Sequence, residues 1–148
     1  MKLKDHSMKF IKKIDFKEFT ILSSSEESCL KFIAEQKWEK GFVCRKCGHT
    51  NFCQGKTPFS RRCTRCKHDE SATAHTIFHR CHIPLTEAFR IVYLVCHDPS
   101  VSSWEISRQM ELRQMTCWKL KRRLMDCIND RGEVDLLYTE NSSNLAGD

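Results

Sequence analysis

Five of the ten cysteines lie between Cys44 and Cys66, and four of these form two matched pairs. Each pair has the spacing Cys-x-x-Cys, and 15 residues separate Cys47 from Cys63. Two thiolates on one tight turn can reach the same ion at about 2.3 Å, and two such turns complete a tetrahedron. Gly48 directly follows the first pair, where a residue without a Cβ lets the turn close. The spacing therefore predicts one structural Zn²⁺ held by Cys44, Cys47, Cys63 and Cys66.

Other chemistries of paired cysteines fit this segment less well. A thioredoxin-like redox centre uses one Cys-x-x-Cys at the start of a helix, whereas this chain has two matched pairs in a basic segment that contains glycine. A catalytic zinc keeps one position open for water, and four thiolates leave none. A disulfide framework is typical of exported proteins, but the N-terminal sequence "MKLKDHSMKFIKKIDF" lacks the apolar core of a secretory signal.

For the other cysteines and for the histidines, the sequence predicts roles other than this zinc site. Cys53 is expected to be a packed thiol on a hairpin. The cysteines on apolar helix faces are expected to be small buried residues: Cys29, Cys96, Cys117 and Cys127. The sequence "HTIFHRCH" brings together His75, His79, Cys81 and His82 without a standard ligand spacing. A second metal site is one interpretation of this cluster, but histidines at the surface or the edge of the core are favoured, with His79 and His82 as candidate phosphate contacts.

Charge is distributed unevenly along the chain. The net charge is +6, and the segment 44–83 alone contains eight Lys and Arg against Asp69 and Glu70. A basic patch this local is typical of a surface that binds a polyanion, although a solvated metal module is often basic as well. From Arg131 to Asp148 the balance reverses to one Arg against four acidic residues.

Size and composition limit the class of protein. A chain of 148 residues with 40% hydrophobic and 30% charged residues is typical of one globular domain or two small ones. It contains no apolar run of the roughly 18 residues that a membrane span requires. We therefore expect a cytoplasmic, nucleoid-associated protein with neither a membrane partner nor a small-molecule substrate.

The elements that would position these groups give an α+β fold. We predict a poorly ordered basic N-terminus over residues 1–22, an N-terminal helix within 23–43, a zinc ribbon of short β-strands over 44–82, three helices over 83–130 and a disordered acidic tail over 131–148. Ser24 with Glu27, and Ser102 with Glu105, fit the capping box that begins a helix. A break at Glu111–Arg113 separates a short helix from a longer basic one, an arrangement that predicts a helix-turn-helix bundle.

The last helix has two chemically different faces. Cys117, Leu120, Leu124, Cys127 and Ile128 recur at three-to-four spacing and predict the buried face. The opposite face carries Met115, Trp118, Lys119 and Arg122, with Gln114 and Arg123 beside it. Gln can read an adenine edge, while Lys and Arg reach guanine or phosphate. The alternative is that "KLKRR" is only the solvated face of a packed helix.

Four stretches together resemble a known family: "EQKWEKGFVCRKCG", "RRCTRC", "HTIFHRCHIPLTEAFRIVYL" and "RQMTCWKLKRRL". Their order is similar to the N-terminal half of zinc-ribbon insertion-sequence transposases, a Merlin-related DDE type. The resemblance covers about residues 25–128. It implies that this half recognises the terminal inverted repeats of a mobile element, and that an RNase-H-like domain with three carboxylates and two metal ions cuts the DNA.

The chain departs from the family pattern at several positions. The family has Gly where this chain has His75 and Glu111, and it has an N-cap Ser where this chain has Arg113. "RGEVDLLYTE" resembles the start of the strand that bears the first catalytic Asp, at Asp135. A catalytic domain would need roughly 100 further residues, so we expect a chain that binds DNA and is not itself an enzyme.

The combined prediction is a zinc-dependent DNA-binding protein. Its expected phosphate contacts from the ribbon are Arg61, Arg62, Arg65 and Lys67, and its expected DNA contacts from the last helix are Gln114, Met115, Lys119, Arg122 and Arg123. The partners are double-stranded DNA and either a transposase catalytic subunit or a second copy of the chain. The alternative is a zinc-ribbon module that binds a protein partner, or a transcription regulator without a role in transposition.

Overall fold

The computed structural model describes residues 20–132 and 134–137. The predicted order of the N-terminus and of the tail therefore concerns mostly residues that lie outside the described part. Within that part the chain is α+β, as predicted. The helices are α1 (Glu26–Lys37), α2 (Leu85–His97), α3 (Ser103–Met110) and α4 (Gln114–Arg131), and the strands are β1 (Phe52–Gln54), β2 (Arg61–Cys63) and β3 (Asp69–Glu70).

Two serines begin helices by capping them. The Oγ of Ser102 accepts a hydrogen bond from the backbone N–H of Glu105 at 3.0 Å, which confirms the predicted cap of α3. For α1 the predicted cap is wrong by one residue. Ser25 accepts from the N–H of Ser28 at 3.0 Å, while the hydroxyl of Ser24 instead donates to the carbonyl of Ile21 at 3.0 Å.

The three strands form one antiparallel sheet in the order β1-β2-β3. Cys53 is opposite Arg62, and Arg62 is in turn opposite Asp69. The turn between β1 and β2 closes through the N–H of Gly55, which donates to the carbonyl of Ser60 at 3.1 Å. A Cβ at Gly55 would lie 2.3 Å from the Ser60 hydroxyl, so this turn requires glycine.

Helices α2, α3 and α4 supply most of the apolar core. The central helix is α2, which buries seven residues, including Phe89, Val92 and Val95. The predicted inner face of α4 is confirmed for Cys117, Leu120, Leu124 and Cys127, which are buried, and Ile128 is half-buried against them. No helix in the described residues is both long enough and apolar enough to span a bilayer.

Helix α1 belongs to the same core as α2. The ring of Phe89 stacks on Phe78 with centroids 5.2 Å apart and meets Phe32 edge-on at 6.1 Å. Both carboxylate oxygens of Glu26 accept backbone N–H groups at the start of α2, from residue 85 at 2.9 Å and from residue 86 at 2.8 Å. A carboxylate suits this position because the first amides of a helix have no partner within it.

The chain returns to the core after α4, within the residues that the prediction assigned to the acidic tail. Val134 and Leu136 are buried, and the N–H of Ile77 donates to the carbonyl of Leu136 at 2.9 Å. The described residues 134–137 form a coil and a turn, so the strand expected at Asp135 is absent from them. The apolar side chains pack because Gly132, in the left-handed region at φ 83°, ends the helix and reverses the chain.

Candidate metal centre

The four predicted ligands meet at one point. Their Sγ atoms all lie within 4.8 Å of one another. The Cys44 and Cys66 sulfurs are 3.6 Å apart, as are those of Cys47 and Cys63. A tetrahedral zinc with Zn–S bonds of about 2.3 Å places its sulfurs about 3.8 Å apart, so the spacing fits the ion. Cys44 and Cys63 are buried, whereas their partners lie nearer the surface.

The two Cys-x-x-Cys turns have the same hydrogen-bond pattern. In the first turn, Cys44 Sγ accepts from the N–H groups of Lys46 at 3.3 Å and Cys47 at 3.4 Å. In the second turn, Cys63 Sγ accepts from the N–H groups of residues 65 and 66 at the same two distances. Amides that point at sulfur stabilise a thiolate, which is the form that binds metal.

The thiol pKa values follow these contacts. Burial raises the pKa of Cys63, but the N–H bonds from Cys66 and Arg65 outweigh it and lower the pKa to about 6. The pKa of Cys44 is lowered for the same reasons, with burial again opposing the amide bonds. Cys66 accepts from the amide of His68, which lowers its pKa, but burial and the neighbouring sulfurs raise it to about 11. A divalent cation would remove that mutual repulsion of negative sulfurs, so the donor set fits zinc.

The residue after each pair has a left-handed backbone. Gly48 has φ 81° and Lys67 has φ 69°. Each donates its N–H to the carbonyl of the first cysteine in its turn, Gly48 at 2.9 Å and Lys67 at 3.0 Å. The two turns therefore share one geometry, although only the first has the glycine that favours it.

Comparison with protein families matches residues 24–69 to the transposase zinc-ribbon domain. Residues 24–69 are thus similar to the zinc-ribbon domain of transposases. The match includes all four ligands and α1, and it covers less than half of the 148 residues. It confirms the predicted zinc-ribbon transposase resemblance for this part of the chain, and with the sulfur cluster it supports one structural zinc ion. Neither the curated proteins nor the solved structures gave a match.

A buried ion pair attaches the zinc ribbon to α1. The ammonium of Lys37 is 2.6 Å from Glu70 and also donates to the carbonyls of Ser71 at 2.9 Å and Ala74 at 2.6 Å. Its side chain is only 2% exposed. Arg45 donates to the same carboxylate at 3.1 Å. Burial raises the pKa of Glu70, but its bonds to Lys37 and Arg45 outweigh this and lower it, whereas burial lowers the pKa of Lys37.

An aromatic group beside this ion pair contacts Arg61, one of the predicted phosphate contacts, and the Lys37 ammonium lies 4.6 Å from the centroid of its Trp38 ring. The guanidinium of Arg61 lies 4.1 Å from the Phe52 ring centroid and 4.7 Å from that of Trp38. Phe42 packs between these rings, 5.4 Å from Phe52 and 6.1 Å from Trp38. Arg61 thus has a packing role in addition to its charge.

The other predicted ribbon contacts differ in their exposure. Arg62 donates to Asp69 at 3.2 Å and is half-buried. Arg65 and Lys67 are exposed, and the Lys67 ammonium reaches the carbonyl of Thr64 at 3.2 Å. Cys53, predicted to be packed, is instead exposed because its strand lies at the edge of the sheet.

Two of the predicted DNA contacts on α4 are engaged inside the protein. Gln114 donates to the hydroxyl of Ser103 at 2.7 Å, which joins the start of α4 to the start of α3. Arg123 donates to the carbonyls of Ile77 at 2.8 Å and His79 at 2.9 Å. The exposed residues of this face are Met115, Trp118, Lys119 and Arg122. Arg122 lies over the Trp118 ring at 5.4 Å.

The two positions at which the family has glycine keep a left-handed backbone. His75 has φ 61° and Glu111 has φ 56°. The rings of His75 and His79 stack 5.7 Å apart, and the N–H of His75 donates to the His79 ring at 3.3 Å. Among the described residues, the four cysteines are the only group placed to hold a metal ion, and these histidines lie at or near the surface.

Sequence reasoning missed three features of the site. Nothing in the pattern distinguished Lys37 or Glu70 from solvated charges, although both are buried. Trp104 is 70% exposed at the start of α3, and the sequence-based prediction did not single it out. Arg80 was counted only as part of the basic segment, but it lines a pocket beside α4.

Proposed function

We propose that this chain is a zinc-dependent DNA-binding protein similar to the inverted-repeat-recognising half of a transposase. The observation that carries the proposal is the exposed face of α4, where Lys119, Arg122 and Trp118 lie outward on a helix whose other face is buried. The zinc ribbon adds exposed cations at Arg65 and Lys67. Positive charge and an exposed aromatic ring on one helix match the chemistry of phosphates and base edges.

In this proposal α3 and α4 act as a helix-turn-helix. The turn between them is fixed by Ser107, whose hydroxyl donates to the carbonyl of Leu112 at 2.6 Å while its own carbonyl accepts from the Leu112 N–H at 3.2 Å. Glu111 supplies the left-handed residue of the turn. The helix α4 would then enter the major groove, with the first two turns of the helix closest to the bases.

The side-chain contacts described above change which of the predicted residues we propose to touch DNA. Met115, Trp118, Lys119 and Arg122 would face the DNA, whereas Gln114 and Arg123 would hold α4 in position. Arg65 and Lys67 would contact phosphates, with Arg61 and Arg62 supporting the sheet. Because phosphate contacts fix register while base contacts specify sequence, the zinc ribbon would orient α4 rather than read the sequence.

We further propose that this chain recognises DNA and does not itself cut it. Two-metal phosphodiester chemistry needs several carboxylates around ions about 3.5–4 Å apart. The candidate carboxylate, Asp135, is paired with Arg131 at 2.6 Å. Cutting would then depend on a catalytic partner chain, and a second copy of this chain is the other candidate partner. DNA binding would place the protein on the nucleoid.

The test is selection of duplexes from a random pool by zinc-loaded protein, followed by affinity measurements at several salt concentrations. We expect a log–log salt slope of roughly −4 to −6, since about five to seven phosphates would be neutralised. Arg122→Ala should weaken binding by about 5- to 150-fold and relax the selected sequence. Lys31→Ala, which removes an exposed charge on α1, is the matched control.

The protein-interaction alternative predicts the opposite result. If the chain is a zinc-ribbon module for a protein partner, no duplex is retained above background. The double variant Lys119→Ala with Arg122→Ala then leaves partner binding unchanged. A salt slope near zero would overturn the DNA-binding proposal.

A further inference from the structure

A small pocket lies between α4 and the segment 80–83. Its volume is about 110 Å³, and its polar lining residues are Arg80, His82, Thr116, Lys119 and Arg123. The space exceeds what one water needs, but it is well below the roughly 300 Å³ of a typical small-molecule pocket. The pocket therefore suits a group of a few heavy atoms rather than a nucleotide or a larger ligand.

Hydrogen bonds anchor the two walls of this pocket to each other, although the side chains of Arg80 and Lys119 are themselves exposed. Arg123 reaches from α4 to two carbonyls of the preceding segment, at 2.8 and 2.9 Å. The N–H of Cys81 donates to the carbonyl of Phe78 at 3.0 Å, and Phe78 is buried in the core. Arg80 adopts a left-handed backbone at φ 58° within this segment. The backbones that carry the cations on the two sides of the pocket thus belong to one packed core.

The charged side chains that line the pocket are all positive. Three cations line it and no carboxylate does. Burial lowers the pKa of His79, and the positive charges of Arg80 and Arg123 lower it further. The nearby carboxylate of Glu26 acts on Cys81, but both its oxygens already accept N–H groups from α2. Like charges gathered in a concave site favour a bound anion.

We propose that this pocket binds one phosphate group of the DNA backbone. Arg80 and Lys119 would donate to its oxygens from opposite walls, with the hydroxyl of Thr116 as a further donor. The duplex is favoured over free phosphate because Lys119 lies one turn from both Met115 and Arg122 on the exposed face of α4. A phosphate held here would set how deeply α4 enters the groove. The inference rests on the proposed DNA-binding function.

The test uses the zinc-loaded 148-residue chain and a mixed-sequence duplex, with affinity measured against salt concentration. The variants are Arg80→Gln, Lys119→Gln and both together, with Lys31→Gln as the control for loss of one charge. Each single variant should reduce the salt slope by about 0.9, the value for one phosphate. If both cations hold the same phosphate, the double variant also loses about 0.9 rather than about 1.8. Zinc content and circular dichroism verify that each variant is folded.

The outcomes separate this inference from the proposed function. If the wild-type chain binds no duplex, both fail. If it binds with a steep salt slope that none of the variants changes, only the phosphate pocket is overturned. A double variant that loses twice the single effect would show two separate phosphates and would overturn the shared pocket.

A second measurement distinguishes the source of the phosphate. The ¹⁵N resonances of the His82 ring are recorded with inorganic phosphate alone and with the duplex. We expect the duplex to shift them and Arg80→Gln to abolish that shift. If inorganic phosphate shifts them and the duplex does not, the pocket serves a free anion and the assignment to DNA is wrong.

Discussion

The zinc ribbon and the helical region are stabilised by different interactions. In the segment 45–71, Cys63 is the sole buried apolar residue, and the other buried side chains are Ser60 and Glu70. In α2 alone, seven residues are buried. The segment has a three-stranded sheet with two- and three-residue strands, which cannot form a core of its own. Its shape therefore depends on metal, ion pairs and turns, while the helices depend on apolar packing.

Because they are stabilised differently, the two regions leave different surfaces available for contacts. A sheet fixed by an ion leaves its outer side chains available, so basic residues can be exposed without loss of the fold. A helix fixed by its apolar face presents the opposite face as a rigid surface. The region between them matters because Lys37, Glu70 and the Phe78–Phe89 stack join the two. The substitutions described next test whether one region can unfold while the other remains folded.

The largest expected effect comes from loss of the metal. Cys63→Ser, or removal of zinc by a chelator, should unfold the segment 44–71, because structural zinc contributes about 10–16 kcal/mol in comparable modules. Amide resonances of the ribbon should collapse while much of the helical circular dichroism remains. Cys53→Ser is the matched control, because Cys53 is exposed and outside the cluster. A Cys63→Ser protein that still binds one zinc with unchanged ribbon resonances would contradict this account.

The next effect concerns the buried ion pair between the regions. Glu70→Gln leaves the buried Lys37 ammonium without its carboxylate and should reduce the free energy of unfolding by about 3–5 kcal/mol. Denaturation of zinc-loaded protein measures the loss. Replacing both partners, Lys37→Met with Glu70→Leu, should restore much of the stability because no charge is then left buried. A double variant as unstable as the single one would show that the pair's charge is not the cause.

Acid should weaken the same pair in a defined direction. The folded-state pKa of Glu70 lies below its ordinary value of 4.5. Its contribution is therefore fully present above about pH 4.5 and is lost as pH falls through the lower folded-state value. The difference in stability between wild type and Glu70→Gln, measured against pH with zinc content monitored, should shrink only in that acidic range. A difference that is constant down to the lowest pH would be inconsistent with this linkage.

The helical region should be destabilised by loss of apolar packing rather than by loss of the metal. Leu124→Ala removes a fully buried side chain of α4 and should cost about 2–5 kcal/mol, without changing zinc stoichiometry. Met115→Ala on the exposed face should change stability by under about 0.5 kcal/mol. Thermal unfolding combined with metal analysis measures both. Loss of zinc from folded Leu124→Ala protein would show that the two regions are not energetically separate.

The smallest effect compares the two matched turns of the zinc ribbon. Gly48→Ala places a Cβ on a left-handed residue and should destabilise the protein by about 1–2 kcal/mol. Lys67→Gly relieves the same strain in the second turn and should stabilise it by up to about 1 kcal/mol, because glycine's greater chain entropy offsets part of the gain. Equal effects of the same sign at the two positions would disprove the equivalence of the turns.

Local patterns in the sequence were sufficient for much of the fold. Cysteine spacing predicted the metal ligands, and apolar periodicity predicted the buried face of α4. The cap of α3 was readable because Ser102 and its amide partner are only three residues apart. Each of these features depends on residues close in the chain, whose geometry is fixed by the turn or helix that contains them.

The features that sequence could not predict join residues distant in the chain. Arg123 and Gln114 have the chemistry of DNA contacts, but Ile77 and Ser103 engage them. The left-handed backbone at His75 and Glu111 occurs without glycine, and each of these residues donates its N–H, to the His79 ring and to the Ser107 carbonyl respectively.

The sequence by itself determined the zinc ligands, the helices and the excess of positive charge. Tertiary structure alone decided which charges are buried, which remain on the surface, and that Arg80 and Lys119 line the same pocket. The physical reason is that a ligand pair or a helix face follows from short-range spacing. Whether a charged side chain is buried or exposed instead depends on desolvation and on partners that only the folded chain brings within a few ångströms.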